Sequence, residues 1–312
     1  MKITVIGHLC LDIIEQPDGN ETQSYGGIFF CVSALANLLG KNDTVVPVFG
    51  VGKTDYDEFI ERLKQYPNVD TSGIFRFNGL TNRVSLIYST KEKRTECSKH
   101  ISEPIPWKRI RPYLNTNMVL VDMISGFDIT LETLDEIRIE VREKQTPIYL
   151  DIHCLVSGLK YDFTRFYRPL ETWRRWLFML HGVQMNEKEA ASVSIEQFDE
   201  PTLAKHLLAL NTKALHITHG ERGSTVYINE HKQIKRIDIP GIEPEKAADT
   251  TGCGDVFAAA YCAHYMRSKD INASADFANL VASFNAQLPG SIEIEKLSKF
   301  RLHEVREMER TL

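Results

Sequence analysis

The chain predicts an α/β fold, a doubly wound and mostly parallel central sheet flanked by helices, with a small β lid. Three observations carry that prediction. Short apolar runs alternate with helix-length amphipathic stretches from end to end. The chemically distinctive residues fall just after the strands or at helix starts, where open α/β sheets hold their ligands. One highly charged pair of β stretches within 83–100 breaks the alternation, so it belongs to a separate small sheet. The 312 residues suit one domain, 1–312, with lid elements near 11–25 and 83–100.

Taken in order, Ile3–Gly7 is an apolar run ending in glycine, the first strand of such a sheet. No G-x-G-x-x-G follows it, which argues against a dinucleotide-binding opening. Asp12, just beyond, reads equally as a turn residue or as a ligand for sugar hydroxyls. Gly26-Gly27 precedes a helix-length apolar stretch, Ile28 to Leu39, and either makes a tight turn or lets backbone approach a small molecule. Thr44 to Val51 reads as a buried strand. Gly52-Lys53-Thr54 imitates the end of a phosphate loop, but Pro47 stands where that loop needs glycine. Asp55 to Gln65 continues as an amphipathic helix. Arg83 to Ser89 and Glu92 to His100 form a hairpin joined by charged residues. Met118 to Asp122 and Ile148 to Asp151 are apolar runs ending in aspartate, with a helix between, which is a βαβ unit. His153-Cys154 has no companions at metal-ligand spacing, so a core or loop role is expected.

Gly182 to Glu189 reads as a strand running into a helix start. Asn186 and Glu189 have the spacing of a capping box, or they face a Mg²⁺-bound phosphate through water. Ala214 to Thr218 is another buried strand, with Gly220 and Gly223 in the turn after it. Ser224–Ile228 and Lys232–Ile239 form an antiparallel pair. Three helices, 255–268, 272–287 and 295–309, close the chain.

Composition bounds the function. Apolar residues are 43% and charged residues 25%, an ordinary globular balance. A net charge of −5 gives no electrostatic support for binding nucleic acid or an anionic membrane. The cysteines at 10, 31, 97, 154, 253 and 262 show no disulfide framework, which implies reduced thiols and a cytoplasmic setting. The longest apolar segment is too short to span a bilayer, and Asp12 within the first apolar stretch argues against a signal peptide.

The stretch Ala248 to Asp255, running into a small-residue helix, carries the most chemistry. Thr251, Gly252, Cys253 and Gly254 sit where a helix has unpaired N–H groups, aligned with the positive end of its dipole. Those donors suit a phosphate, and glycines at 252 and 254 let it approach the backbone. A carboxylate at 255 would repel a bound phosphate. It makes chemical sense if a hydroxyl lies between the two and gives its proton to Asp255 while attacking phosphorus.

Asp249-Thr-Thr-Gly-Cys-Gly-Asp255 resembles the C-terminal signature of the ribokinase-like (PfkB-type) family of carbohydrate kinases. The resemblance spans nearly the whole chain through Gly7 and Asp12, Gly26-Gly27, Asn186 with Glu189, and Thr218-x-Gly220-x-x-Gly223. It implies an ATP-dependent sugar kinase in which Asp255 is the base and the N–H groups of Gly252, Cys253 and Gly254 form the anion hole. It gives Asp12, Gly26 and Gly27 to the acceptor. Thr218, Gly220, Gly223, Asn279 and Ser283 go to the nucleotide, and Asn186 and Glu189 to Mg²⁺ and phosphates. Asp249 and the backbone of Thr251 would hold a monovalent cation such as K⁺. Ile294 stands where cation-dependent members carry a small hydroxyl residue, which leaves K⁺ dependence open. Cys31 replaces the asparagine that usually faces the substrate, and with Ile28, Phe29 and Phe30 it makes the acceptor pocket more apolar. A nucleoside kinase of the same fold is the near alternative, and a non-catalytic sugar or nucleotide sensor the distant one. A homodimer formed through the lid is a further implication of the family.

Overall fold

The computed structural model describes residues 1–15, 18–88, 94–242 and 249–302. Its strands, in chain order, are β1 Lys2–Ile6, β2 Leu9–Glu15, β3 Glu21–Gly27, β4 Thr44–Gly52, β5 Ile74–Phe77, β6 Asn82–Tyr88, β7 Arg94–Lys99 and β8 Met118–Asp122. They continue as β9 Ile148–Asp151, β10 Ser157–Leu159, β11 Arg165–Tyr167, β12 Gly182–Asn186, β13 Ala214–Thr218, β14 Gly223–Glu230 and β15 Gln233–Pro240. The helices are α1 Ile28–Leu38, α2 Tyr56–Leu63, α3 Trp107–Ile110, α4 Leu131–Val141, α5 Trp173–Trp176, α6 Glu187–Ser192, α7 Glu200–Ala209, α8 Cys253–Ser268 and α9 Ile271–Asn285.

Nine of the described strands form one sheet, ordered β15-β14-β13-β12-β9-β8-β1-β4-β5. Pairing is parallel from β13 to β5, and β14 and β15 add an antiparallel edge. Every residue of β8 and of β9 is buried, as strands covered by helices on both faces require. The chain runs outward from β1 to β4 and β5, then returns to lay β8 on the other side of β1. The ends of β1 and β8 therefore mark the switch point where a doubly wound sheet opens a crevice. Helix α1 is buried along its whole length, with no solvent face. It packs against α8, whose Ala258-Ala259-Ala260 run lets the two backbones approach.

A separate four-stranded sheet, β3-β2-β6-β7, combines the two stretches marked as lid elements. The chain after β1 turns back into β2 and β3, so the first lid stretch is itself a strand pair. Register places Asp12 beside Val84 and Val84 beside Ser98, with Ile14, Leu86 and Glu96 in the next row. The residues joining β6 to β7 lie outside the described ones, as does Ala248. The hairpin β10–β11 had no clear sequence signal. Of the closing helix expected at 295–309, the part over Ile294–Phe300 is a 3₁₀ segment, and residues 303–309 lie outside those described. No helix among the described residues is long and apolar enough to cross a membrane.

Candidate active site

The chain reaches α8 through Gly252, which takes the left-handed conformation at φ 77° and ψ −1°. No side chain caps this helix. Its first N–H groups therefore have no side-chain oxygen capping them, and the helix dipole adds to their positive field. Asp249 braces the turn, its Oδ1 accepting from the Thr251 N–H at 2.9 Å and the Thr251 hydroxyl at 2.7 Å. The Cys253 N–H donates to Thr250 O at 3.3 Å, a long bond across the same turn. Phe30 occupies the space where a side chain at Gly252 would begin, whereas an added Cβ at Gly254 would have 3.6 Å to its nearest neighbour, Gln184. Thr250 to Asp255 all line a cavity of about 450 Å³.

Asp255 opens the first turn of α8 and lies on that cavity wall. Two further carboxylates converge behind it, Asp122 at the end of β8 and Asp151 at the end of β9. Oxygens of the three lie within 4.8 Å of one another. Cys31 donates its thiol to Asp122 Oδ2 at 3.2 Å, and Gln184 donates its amide to Asp151 Oδ2 at 2.8 Å. The same Gln184 amide bonds Gly254 O at 2.9 Å, so β12 holds the start of α8 against β9. Asp255 Oδ1 and Asp122 Oδ1 are buried without a hydrogen-bond partner among the described residues.

Burial, then mutual repulsion, pushes Asp122 well above the usual carboxylate range. Burial followed by the nearby Glu189 does the same to Asp151, and burial raises Asp255. The folded chain therefore binds these protons more tightly than an unfolded one. In the window above the ordinary aspartate range, the folded state holds more protons, so stability falls as pH rises. Asp122→Asn, which removes one charge and keeps an oxygen for Cys31, is expected to raise the melting temperature at about pH 8. At about pH 4, where unfolded aspartates are also protonated, the gain should shrink. Calorimetry at the two pH values checks this.

The cavity is lined from two parts of the fold, its two arms. One is walled by Thr218, Gly220, Gly223, Asn279 and Ser283. Asn279 and Ser283 also tie α9 to the end of β15 and the chain after it, through Pro240 O at 2.9 Å and Ile242 O at 2.7 Å. Gly220 has φ 61° with open space beside it, so a ligand can approach its backbone. Gly223, at φ 94°, is glycine for packing, because an added Cβ would strike Ile239 O and the backbone after it. The other arm is walled by Asp12, Gly27, Phe30, Val84, Leu86 and Glu96, with Cys10 and Ile124.

Gly26 is not on the wall. An added Cβ there would overlap the Asp12 carboxylate, so this glycine seats Asp12. Gly26→Ala is expected to displace that carboxylate and raise the acceptor KM by about tenfold, leaving the KM for the nucleotide and kcat little changed. Steady-state kinetics with each substrate varied in turn checks this.

Asn186 and Glu189 form a full capping box. The Asn186 Oδ1 accepts from Lys188 N and Glu189 N, both at 2.9 Å, and Glu189 Oε2 accepts from Asn186 N at 2.7 Å. Asn186 lines the cavity, while Glu189 is buried behind it. That geometry suits Mg²⁺ held through water rather than directly. For K⁺ the fit is poorer, since Asp249 Oδ1 serves its own turn and Ile294 is buried and offers no oxygen.

The fold thus gathers most of the sequence-marked residues around one cavity. Gly26, Glu189 and Asp249 stand just behind its wall. Cys31 also lies off the wall, bonded to Asp122 and to Asp255 O at 3.3 Å, so of residues 28–31 only Phe30 faces the cavity. Sequence reasoning passed over Asp122, Asp151, Gln184 and Glu96. The signal for the first two was present, since each ends an apolar strand at the sheet's carboxyl edge. His153 lines the cavity with φ 30°, an unusual backbone for a non-glycine residue.

Residues 165–297 match the family model described as pfkB family carbohydrate kinase. The cytidine kinase of Thermococcus kodakarensis is 25% identical over 279 residues, covering 87% of this chain and 91% of that protein. The ribokinase of Bacillus subtilis is 37% identical over 119 residues, 36% of this chain and 37% of its own length. Among solved structures, a ribokinase from Thermotoga maritima superposes with a TM-score of 0.70 at 18% identity, over 95% of this chain and 97% of that one. Over residues 165–297 the chain is thus similar to the pfkB family of carbohydrate kinases, over most of its length to a cytidine kinase, and it has the ribokinase fold.

Proposed function

We propose that this protein transfers the γ-phosphoryl group of ATP to a hydroxyl of a nucleoside, with Asp255 as the base. The observation that carries the chemistry is Asp255, which lines the cavity beside the uncapped start of α8 and whose buried Oδ1 has no hydrogen-bond partner among the described residues. In this reading the acceptor hydroxyl meets Asp255 and loses its proton as its oxygen bonds to phosphorus and the bond to ADP breaks. The N–H groups of Gly252, Cys253 and Gly254 hold the charge that gathers on the phosphoryl oxygens. A carboxylate whose proton affinity is raised by burial is the stronger base for that step. Mg²⁺, held near Asn186 and Glu189 through water, would neutralise phosphate charge. The sheet β3-β2-β6-β7 acts as the lid that keeps water from competing with the acceptor.

The wall of the acceptor arm favours a nucleoside over a free sugar. A free sugar carries a hydroxyl on nearly every carbon, and each needs a polar partner once it leaves water. This arm offers Asp12 and Glu96 among Cys10, Phe30, Val84, Leu86 and Ile124. A nucleoside has one hydroxyl-rich end and one flat, weakly polar body, which matches that distribution. A free sugar as acceptor is the second reading, supported by the partial match to a ribokinase. An ADP-release assay over a panel of nucleosides and free sugars tests the choice. Turnover with nucleosides at least about tenfold above any sugar in kcat/KM is expected, and preference for a sugar contradicts it.

A further inference from the structure

We infer that Glu96 selects the base of the acceptor, favouring a nucleobase that carries an amino group over one that carries only oxo groups. The inference rests on the nucleoside reading above. Glu96 lies on β7, and register puts it opposite Leu86, one row from the row of Asp12, Val84 and Ser98. It lines the same arm of the cavity as Asp12. Two strand spacings separate β2 from β7 and two residues of rise separate the rows, so the backbone positions of the two acids lie about 12 Å apart on the sheet. A ligand that reaches both, with its hydroxyl at Asp255, needs a sugar at one end and a further polar group well beyond it. Val84 and Leu86, on the strand between them, offer an apolar surface for a flat ring.

Glu96 is held in place from behind. Arg165 Nε lies 3.0 Å from Glu96 Oε1, and the Arg165 side chain is only 8% exposed. The same Nε donates to Ser98 Oγ at 2.8 Å, and Nη2 donates to Ser125 O at 3.1 Å in the loop after β8. The guanidinium thus pins a lid carboxylate to the body of the protein at a set position over the cavity. A carboxylate accepts hydrogen bonds and donates none. It therefore pairs with an amino group on the base, and a carbonyl in that place would face it lone pair to lone pair. A site built on such a bond discriminates, because the wrong partner sets a carbonyl against the half-buried carboxylate.

Glu96→Gln keeps the side chain's shape and an oxygen for Arg165 while adding an N–H donor. The test compares kcat/KM for cytidine and adenosine with that for uridine and inosine, in wild type and variant. The wild type is expected to prefer the amino bases, and the ratio should fall about tenfold or more in the variant, with an unchanged melting temperature. If Glu96 served only to fasten the lid, all four nucleosides would lose activity in proportion, and an unchanged ratio would overturn the inference. A wild type indifferent to the amino group would overturn it as well. A wild type that phosphorylates sugars but no nucleoside would overturn the nucleoside reading itself, and that result appears before any variant is made. Should the variant not fold, thermal shifts of the wild type with cytidine and uridine decide the matter, equal shifts counting against Glu96.

Discussion

Asp255→Asn is expected to give a folded protein that binds nucleotide and acceptor yet turns over about 10²–10⁴-fold more slowly. The amide has the carboxylate's shape but takes up no proton at neutral pH. Folding should survive because Asp255 contributes a raised, destabilising charge rather than a stabilising pair, with two more acids within 4.8 Å. Removing that charge relieves Asp122 and Asp151, so the melting temperature should hold or rise. The effect belongs in kcat, with dissociation constants from calorimetric titration near those of the wild type. A variant that keeps more than about a tenth of wild-type kcat removes Asp255 from the proton-transfer role.

Gly252→Ala should damage both fold and catalysis. At φ 77° a side chain is strained, by about 1–2 kcal/mol. The new methyl also runs into the buried Phe30 ring, adding about 1–3 kcal/mol of overpacking. Together these predict a loss of about 2–5 kcal/mol, seen as a fall in melting temperature of about 5–15 °C. Where the protein stays folded, the displaced amides at the start of α8 should lower kcat by about 10²–10³-fold. Gly254→Ala makes the useful contrast. An added Cβ there has 3.6 Å to its nearest neighbour, so its stability should change far less.

Much of this architecture was readable because its signals are local. Alternating apolar runs gave the parallel strands, and a glycine-bracketed turn before small residues gave the start of α8. The capping spacing of Asn186 and Glu189 was read in both its structural and its ligand-holding sense, and the box is present with both bonds made. What stayed hidden depends on neighbours distant in sequence. Asp122, Asp151 and Asp255 meet only because β8, β9 and α8 are brought together by the sheet order. Glu96 looked like one more charge on a polar hairpin, and its meaning comes from Arg165, 69 positions away by number, closing on it from β11. Cys31 misled for the same reason. Its position suggested a substrate contact, but its thiol turns inward to the Asp122 carboxylate. The described start of the last expected helix differs for another reason. Its apolar spacing suits an α-helix, yet Ile294–Phe300 winds as 3₁₀ turns under α1.

The most direct measurement is a structure of the protein bound to a nucleoside and a non-hydrolysable ATP analogue. The account predicts the terminal phosphate against the amides of residues 252–254, with one acceptor hydroxyl within hydrogen-bond distance of Asp255 Oδ1. A hydroxyl directed away from that oxygen, or a terminal phosphate bound elsewhere in the cavity, would contradict it.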